Sequence, residues 1–201
     1  MSDRFQTLLD HDRAAVLATV DLVETVQPDD LSRPTPCGPW TLADLIAHMT
    51  GQQLGFAAAA AGAGTDLAEW VPVRSAEPVQ GYRQSCTEVL TAFAANAVAD
   101  REFALPEIRD GRGFPAAQAI SFHLLDNVVH AWDVATSLGV DPRLSAELID
   151  GALRIARQVP DGPERLEPGA AFAPGLAAGA ADGPLQTMLL LLGRDPSWRP
   201  S

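Results

Sequence analysis

Several side chains capable of chemistry lie within one strongly apolar segment, from about residue 115 to 138: His123, Asp126, Asn127, His130 and Asp133. The apolar residues of this segment cover nearly every side of a helix, which predicts a central, buried helix. Buried charges are costly unless they are paired or bind a metal ion. These polar residues therefore need a structural or a chemical explanation.

Helical spacing places Asp126 and His130 side by side. At 100° per residue they lie about 40° apart around the helix and about 6 Å apart along it, so one metal ion could bind both. His123 shares that face, but it lies about 10.5 Å from His130 along the axis, too far for both rings to bind one ion. We expect His123 at most to hydrogen-bond to one of the metal-binding side chains or to line the entrance to the metal site.

A third ligand has to come from another helix, and His48, beside the apolar stripe of the predicted second helix, is the candidate. His11 is the only other histidine, and we expect it to be solvated because Asp10, Asp12 and Arg13 surround it. Two histidines and one carboxylate that leave a coordination position open are typical of a catalytic metal site. The ion would lower the pKa of a bound water or thiol.

The same residues allow a second interpretation, in which they form hydrogen bonds with one another in the core. Asp133 could hold the ring of His130, as a metal-bound histidine usually requires, or bind a backbone group. Cys37 precedes a helix start, where the pKa of a thiol can be depressed, but we expect a small buried apolar residue there. Cys86, Trp40 and Trp132 are expected to be packing residues.

Length and composition restrict the class of protein. The 201 residues, 47% of them apolar, are expected to form a single domain, residues 1–201. A net charge of −12 argues against nucleic acid and against anionic membrane surfaces as partners. We expect a cytoplasmic protein, because no apolar run is long enough to span a membrane and the N-terminus lacks the pattern of a signal peptide.

The spacing of apolar residues predicts a mainly α fold with helices at about 3–25, 42–61, 79–98, 115–138, 144–159 and 186–192. Thr41 and Asp44 form a capping box that opens the second helix, and Gly139 is expected to cap the fourth. Residues 65–78 are predicted to be a connection with room for one helical turn, and 160–184 a long surface loop. The only plausible β structure lies in 101–114, around the apolar piece Phe103–Leu105.

Two motifs resemble those of a known family. The run Thr35-Pro36-Cys37-Gly38-Pro39-Trp40-Thr41, followed by Leu45 and His48, resembles a signature of the DinB-like superfamily, in the branch related to mycothiol-dependent maleylpyruvate isomerase. His130-Ala131-Trp132-Asp133-Val134-Ala135 with Gly139 resembles a second signature of that branch. Leu192-Gly193-Arg194-Asp195-Pro196 resembles the usual end of its single-domain members. The resemblance covers about residues 5–198.

The resemblance implies a DinB-like four-helix bundle with extra short helices and little or no β structure. It also implies a divalent metal, zinc or nickel, held by His48, Asp126 and His130, with mycothiol as a co-substrate. The family usually has Glu or His at the position of Asp126, so the shorter carboxylate is a departure that bears on metal affinity and identity.

The function implied is that of a thiol-dependent transferase or isomerase, of the mycothiol type, acting on a small electrophile. The isomerase's own reaction is not expected, because the chain lacks that enzyme's extra C-terminal domain. Two alternatives remain open at this stage. One is a metal-dependent hydrolase, and the other is a non-catalytic metal-binding or stress-related bundle.

Overall fold

A computed structural model describes residues 2–108, 111, 113–167, 169–179 and 181–200. The α-helices of this part of the chain are α1 (Asp3–Val23), α2 (Leu42–Ala61), α3 (Pro78–Phe93), α4 (Ala116–Leu138), α5 (Ala146–Ala156) and α6 (Pro184–Leu191). Two short antiparallel strands, β1 (Glu102–Phe103) and β2 (Phe114–Pro115), form a hairpin. The prediction of a mainly α fold with little β structure is confirmed.

Local capping signals fix two ends of the helices that carry the site. The Thr41 hydroxyl accepts a hydrogen bond from the backbone N–H of Asp44, and the Asp44 carboxylate accepts one from the N–H of Thr41. This reciprocal capping box begins α2 as predicted. Gly139 follows α4 in the left-handed conformation, with φ 72°, and its N–H bonds back to the helix.

The third helix is shorter than predicted. The sequence predicted a helix to residue 98, but α3 ends at Phe93 and a separate 3-10 turn follows at Val98–Asp100. Ala97, just before that turn, has a φ of 63°, which no helix interior allows. The sharp turn brings Val98 into the same apolar cluster as Phe93, so burial overrides local helix propensity here.

Smaller differences occur at other helix ends. The first and fifth helices end at Val23 and Ala156, before the predicted residues 25 and 159, and α6 begins at Pro184 rather than at 186. Leu67–Trp70 forms the turn for which the 65–78 connection had room. The predicted 160–184 loop also contains a 3-10 turn, Pro163–Leu166, which was not predicted.

The apolar core is arranged around α4. Three clusters of buried apolar residues fill the interior, and each of them contains residues of α4: Ile120 in the first, Val128 in the second and Val134 in the third. The first cluster also packs the strands, the second packs α5 and α6, and the third packs α1, α2 and α3. Among the described helices, none is long and apolar enough to cross a membrane.

Two glycines of α2 allow the following turn to pack closely against the helix. A Cβ on Gly51 would overlap the carbonyl group of Val71, and a Cβ on Gly55 would overlap the ring of Trp70. The Trp70 indole N–H donates to the carbonyl oxygen of Gly64 at 3.0 Å, so the ring is held in place on its other edge. The close packing of this turn on α2 therefore requires glycine, without a side chain, at positions 51 and 55.

We predict that Gly55→Ala lowers the free energy of unfolding by about 1–3 kcal/mol, because the new methyl group must displace a buried indole ring. Gly81→Ala is the matched control, because its new Cβ would meet no atom closer than 3.8 Å. That substitution should be neutral or stabilise by up to about 1 kcal/mol, through a less flexible unfolded chain. Urea unfolding of both variants measures the difference, and equal stabilities would contradict the packing argument.

Candidate metal centre

The helices α2 and α4 bring His48, Asp126 and His130 together. One potential ligand atom of each residue lies within 4.8 Å of those of the other two. His130 Nε2 is 3.3 Å from Asp126 Oδ1, and the two histidine rings meet edge to face with centroids 5.3 Å apart. The side chains that spacing and elimination singled out as candidate ligands therefore converge, with Asp126 partly exposed at 27% of its side-chain surface.

The other nitrogen of His130 is held by Asp133. Nδ1 lies 2.9 Å from Asp133 Oδ2, which is the hydrogen bond that the sequence suggested for this carboxylate. A carboxylate behind the ring fixes its orientation and makes the opposite nitrogen a better metal ligand. Nε2 is thereby turned towards Asp126 and His48.

Asp133 is itself fully buried and needs compensation for its charge. Arg194 supplies it: its Nε donates to the two carboxylate oxygens at 3.2 and 3.3 Å, and its Nη2 donates to Oδ2 at 3.2 Å. Arg194 lies in the segment after α6. No sequence pattern predicted a role for this residue, although it lies in the terminal motif Leu192-Gly193-Arg194-Asp195-Pro196 that contributed to the family resemblance.

Cys37 also contacts this carboxylate. Its thiol donates to Asp133 Oδ2 at 3.3 Å, and its sulfur lies 3.8 Å from Arg194 Nη2. The expectation of a small buried apolar residue is met only in part: Cys37 packs half-buried against the third apolar cluster, but the loop before α2 turns its thiol towards Asp133. Cys86 is buried in the core and Trp132 lies in the second apolar cluster, both as predicted.

A second group with ligand atoms within 4.8 Å of one another is formed by Cys37, His130 and Asp133. Its members already form hydrogen bonds with one another, and the guanidinium of Arg194 contacts two of them. A fixed positive charge at this distance opposes a second cation. Arg194 forms no hydrogen bond with His48, Asp126 or His130, although its charge contributes to the lowered pKa of His48, so this group is the better fit for a metal ion.

Two of the candidate ligands, His48 and Asp126, have lowered pKa values that keep them in the form that binds a cation. Burial lowers the pKa of His48 to about 4, with a further contribution from the charge of His130, so His48 is neutral at pH 7. Burial alone would raise the pKa of Asp126, but the charge and the hydrogen bond of His130 outweigh it and lower the pKa to about 2. A neutral imidazole and a carboxylate are the forms that bind metals.

His130 behaves differently. Burial lowers its pKa, but the charge of Asp126 and the hydrogen bonds to Asp126 and Asp133 outweigh that effect and raise the pKa well above 6.5. Without a metal the ring is therefore protonated at neutral pH and lies between two carboxylates. A metal ion that binds at Nε2 has to replace that proton.

The ring of Trp40 packs against His48, with centroids 4.9 Å apart. Trp40 immediately precedes Thr41, the residue that caps α2, so the capping box fixes the backbone next to this contact. We expected a packing residue, and Trp40 does pack against the third apolar cluster. It also limits the orientations open to His48.

His123 lies outside this group and is fully buried. Its Nδ1 is 2.7 Å from Asp12 Oδ1, and its Nε2 is 2.8 Å from Gln53 Oε1. The expectation that His123 lines the entrance or supports a ligand is wrong, because α1 and α2 supply partners to both ring nitrogens. Gln53 Nε2 continues the network to Asn127 Oδ1 at 2.8 Å.

The expectation that His11 is solvated is also wrong. Its neighbour Asp12 is buried against α4, because α1 turns this face inwards. His11 is only 20% exposed, and its Nε2 lies 3.2 Å from Glu147 Oε1 on α5. The polar neighbours of these residues in the sequence gave no indication of the helices that cover them.

Residues 13–135 match the family described as the mycothiol maleylpyruvate isomerase N-terminal domain. The chain belongs to this family. The matched range includes Cys37 and the candidate ligands His48, Asp126 and His130, whereas Arg194 lies beyond it.

Two related proteins align with nearly the whole chain. Two proteins of Mycobacterium tuberculosis, both called uncharacterized, one from strain CDC 1551 / Oshkosh and one from strain H37Rv, are each 31% identical over 191 residues. Each alignment covers 93% of this chain and 97% of the relative. A crystal structure of the mycothiol-dependent maleylpyruvate isomerase superposes with a TM-score of 0.57 at 15% identity, covering 76% of this chain and 67% of that one. This likeness establishes a DinB-like helical fold.

We predict that Asp126→Asn lowers the pKa of His130 in the metal-free protein, because the substitution removes the carboxylate charge that raises it. The protonated ring contributes stability below its unfolded pKa, and that contribution is lost as the pH rises through the folded pKa, so the loss should occur at lower pH in the variant. Titration of the ring nitrogens by NMR measures the change. Asp21→Asn, on the exposed side of α1, is the control, and an unchanged His130 pKa in Asp126→Asn would contradict the assignment.

Proposed function

We propose that this family member is a metal-dependent enzyme that activates a small thiol for attack on a small electrophile. The convergence of His48, Asp126 and His130, with His130 held from behind by Asp133, is the observation that carries the proposal. The family name supports a thiol of the mycothiol type. The reaction class that follows is transfer of the thiol to the electrophile, or isomerisation through it.

The donor set suits zinc or nickel. Two imidazole nitrogens and one carboxylate oxygen are ligands that these ions accept, and three protein ligands leave room for an exogenous one. When bound, a divalent ion lowers the pKa of a coordinating thiol, so that thiolate forms at neutral pH. Asp126, partly exposed, keeps a negative charge on the open side of the group.

The chain's own residues have separable tasks in this proposal. His48 supplies a neutral nitrogen, and Trp40 restricts its ring. Asp133 orients His130, and Arg194 compensates the buried charge of Asp133. The hydrogen bonds of Arg194 go to Asp133 and Cys37 and not to Asp126, the partly exposed member of the group. The thiol of Cys37 donates to Asp133, so we assign Cys37 to the support of the site and not to nucleophilic attack.

We also infer that residues 1–201 form one domain. Arg194, from the segment after α6, binds Asp133 in α4, and Cys37, from the loop before α2, binds the same carboxylate. Helix α4 packs in each of the three apolar clusters. These contacts support a single folding unit in which the segment before α2 and the segment after α6 contribute to one site.

The metal site is tested by metal analysis of protein purified without an affinity tag. We expect one divalent ion per chain, and its loss in His48→Ala and in His130→Ala, because two ligands hold an ion far more weakly than three. His11→Ala is the control, since His11 contacts Glu147 and lies outside the group. Affinity should fall as the pH is lowered through the raised pKa of His130, because the proton competes with the metal. Equal metal content in the wild type and in His130→Ala would refute the site.

Asp126→Glu tests the carboxylate by lengthening it. If Asp126 binds the metal, the added methylene moves the carboxylate by about 1.5 Å, so affinity or metal preference should change while the fold survives. Competition between zinc and nickel, with helicity measured by circular dichroism, gives both quantities. Unchanged affinity for both metals would remove Asp126 from the ligand set.

The thiol chemistry is tested by mixing metal-loaded protein with mycothiol and a generic electrophile. We expect conjugation or isomerisation that is abolished in His48→Ala and retained in Cys37→Ala, because the attacking sulfur comes from the added thiol. Product formation by mass spectrometry is the measurement. Activity that survives His48→Ala and disappears in Cys37→Ala would make Cys37 the nucleophile. Absence of turnover with any thiol would favour the non-catalytic or the hydrolytic alternative.

A further inference from the structure

Arg165 is a buried cation in the long loop after α5. It lies in the 3-10 turn Pro163–Leu166, and its side chain is 4% exposed. Its guanidinium donates at 2.8–3.4 Å to four backbone carbonyl oxygens, those of Val159, Pro160, Ala173 and Leu191. The carboxylate of Asp161 is 3.5 Å away and 56% exposed. Because a buried charge is costly without partners, Arg165 favours the arrangement that keeps these four carbonyl groups together.

The four carbonyl groups belong to three segments of the chain. Two of them lie just after α5, one belongs to Ala173 in the middle of the loop, and one belongs to Leu191, the last residue of α6. The last carbonyl groups of a helix have no partner within it, and a cation near them is favourable. The N–H of Leu176 adds a second contact, because it donates to the carbonyl oxygen of Leu190 at 2.8 Å. Arg165 thus fastens the loop to the end of α6.

The chain reverses direction directly after α6, at Gly193. Gly193 has a φ of 73°, and the N–H of Arg194 donates to the carbonyl oxygen of Leu189 at 2.9 Å. This is the Schellman pattern, in which a left-handed glycine ends a helix. A Cβ on Gly193 would lie 2.6 Å from the carbonyl oxygen of Ala173, which is one of the groups that Arg165 binds. The turn after α6 and the loop are therefore in direct contact.

Arg194 connects this turn to the candidate metal centre. It follows Gly193 directly, and its side chain donates to both carboxylate oxygens of Asp133. Asp133 Oδ2 in turn lies 2.9 Å from Nδ1 of His130. A continuous series of contacts therefore leads from Arg165, through the turn after α6, to a candidate ligand.

The contact between Arg194 and Asp133 is sensitive to small displacements. Its three hydrogen bonds are 3.2–3.3 Å long, so a shift of the turn by about 0.5 Å would take them past the usual limit for an N–H···O bond. Without that cation a carboxylate in the core is unfavourable, and Asp133 no longer holds the ring of His130 in one orientation. Loss of such support behind a metal-bound histidine lowers metal affinity about 10–100-fold.

We propose that Arg165 is a positioning residue of the candidate metal centre, which acts through the turn at Gly193 and through Arg194 on Asp133 and His130. As far as it concerns metal affinity, this inference rests on the proposed function. As far as it concerns the position of Arg194, it rests on the hydrogen bonds of the chain alone. The loop that carries Arg165 therefore belongs to the support of the site.

The position of Arg194 is tested by NMR on the metal-free, ¹⁵N-labelled full-length chain. The Nε–H signal of Arg194 is the one that Arg194→Lys removes. In Arg165→Met, which keeps an unbranched side chain without donors, we expect this signal to shift towards that of a free arginine and to exchange faster with water. Arg157→Met is the matched control, because it removes the same charge from an exposed position at the end of α5. An unchanged Arg194 signal in folded Arg165→Met would overturn the proposal.

Zinc affinity, measured by competition with a chelator, tests the consequence for the site. We expect binding to weaken about tenfold in Arg194→Met, about fivefold in Arg165→Met and less than about twofold in Arg157→Met. The double variant Arg165→Met/Arg194→Met should bind zinc no more weakly than Arg194→Met, because Arg165 acts through Arg194. Additive losses would show that Arg165 supports the fold in general, and would overturn the proposal.

Arg165→Lys keeps the test decisive if Arg165→Met fails to fold. It retains the positive charge but lacks the planar fork that joins three segments, so we expect a shifted Arg194 signal and zinc affinity lowered about twofold or more. Wild-type values of both quantities would overturn the proposal. A wild-type chain that binds no zinc would refute the proposed function, whereas a shifted Arg194 signal in the same chain's Arg165 variants would still support the positioning of Arg194.

Discussion

The buried carboxylate of Asp133 is the charge on which the candidate site depends. It lies at 0% exposure within α4, the helix that contributes to all three apolar clusters, where an uncompensated carboxylate would be strongly destabilising. His130, Arg194 and Cys37 all donate to it, and they come from α4, from the segment after α6 and from the loop before α2. One buried charge thus joins α4 to two distant segments, and displacement of either segment would remove part of its pairing. Site geometry and fold stability are coupled through this residue.

The same pairing divides the site electrostatically into an inner and an outer part. On the inner side, Arg194 lies against Asp133 and Cys37, so negative charge is already balanced and a further cation is opposed. On the outer side, Asp126 keeps its carboxylate partly exposed beside His48 and His130. Because a cation gains most where negative charge is not yet compensated, the outer group is the better metal site. His130 belongs to both parts, with one nitrogen directed to each.

Helical spacing predicted what depends on a single helix, and it could not predict what depends on packing between segments. Asp126 and Asp133 lie four and three residues from His130, so their contacts follow from helix geometry. The contacts of Asp133 with Cys37 and Arg194 join residues 96 and 61 positions apart, and that of His123 with Asp12 joins residues 111 apart. No periodic pattern carries such information. The early end of α3 was missed for the same reason, because burial of Val98 overrides the local preference.

The two histidines of α4 show what separates a structural imidazole from a candidate ligand. Both lie on one face of the helix, and both contact a buried aspartate through Nδ1. His123 also has its Nε2 bonded to Gln53 and is fully buried, so neither nitrogen remains for an ion. The Nε2 of His130 faces another imidazole and a partly exposed carboxylate, both of which are potential metal ligands. The residues that the neighbouring helices place opposite Nε2, an amide in one case and potential ligands in the other, therefore decide the role of each ring.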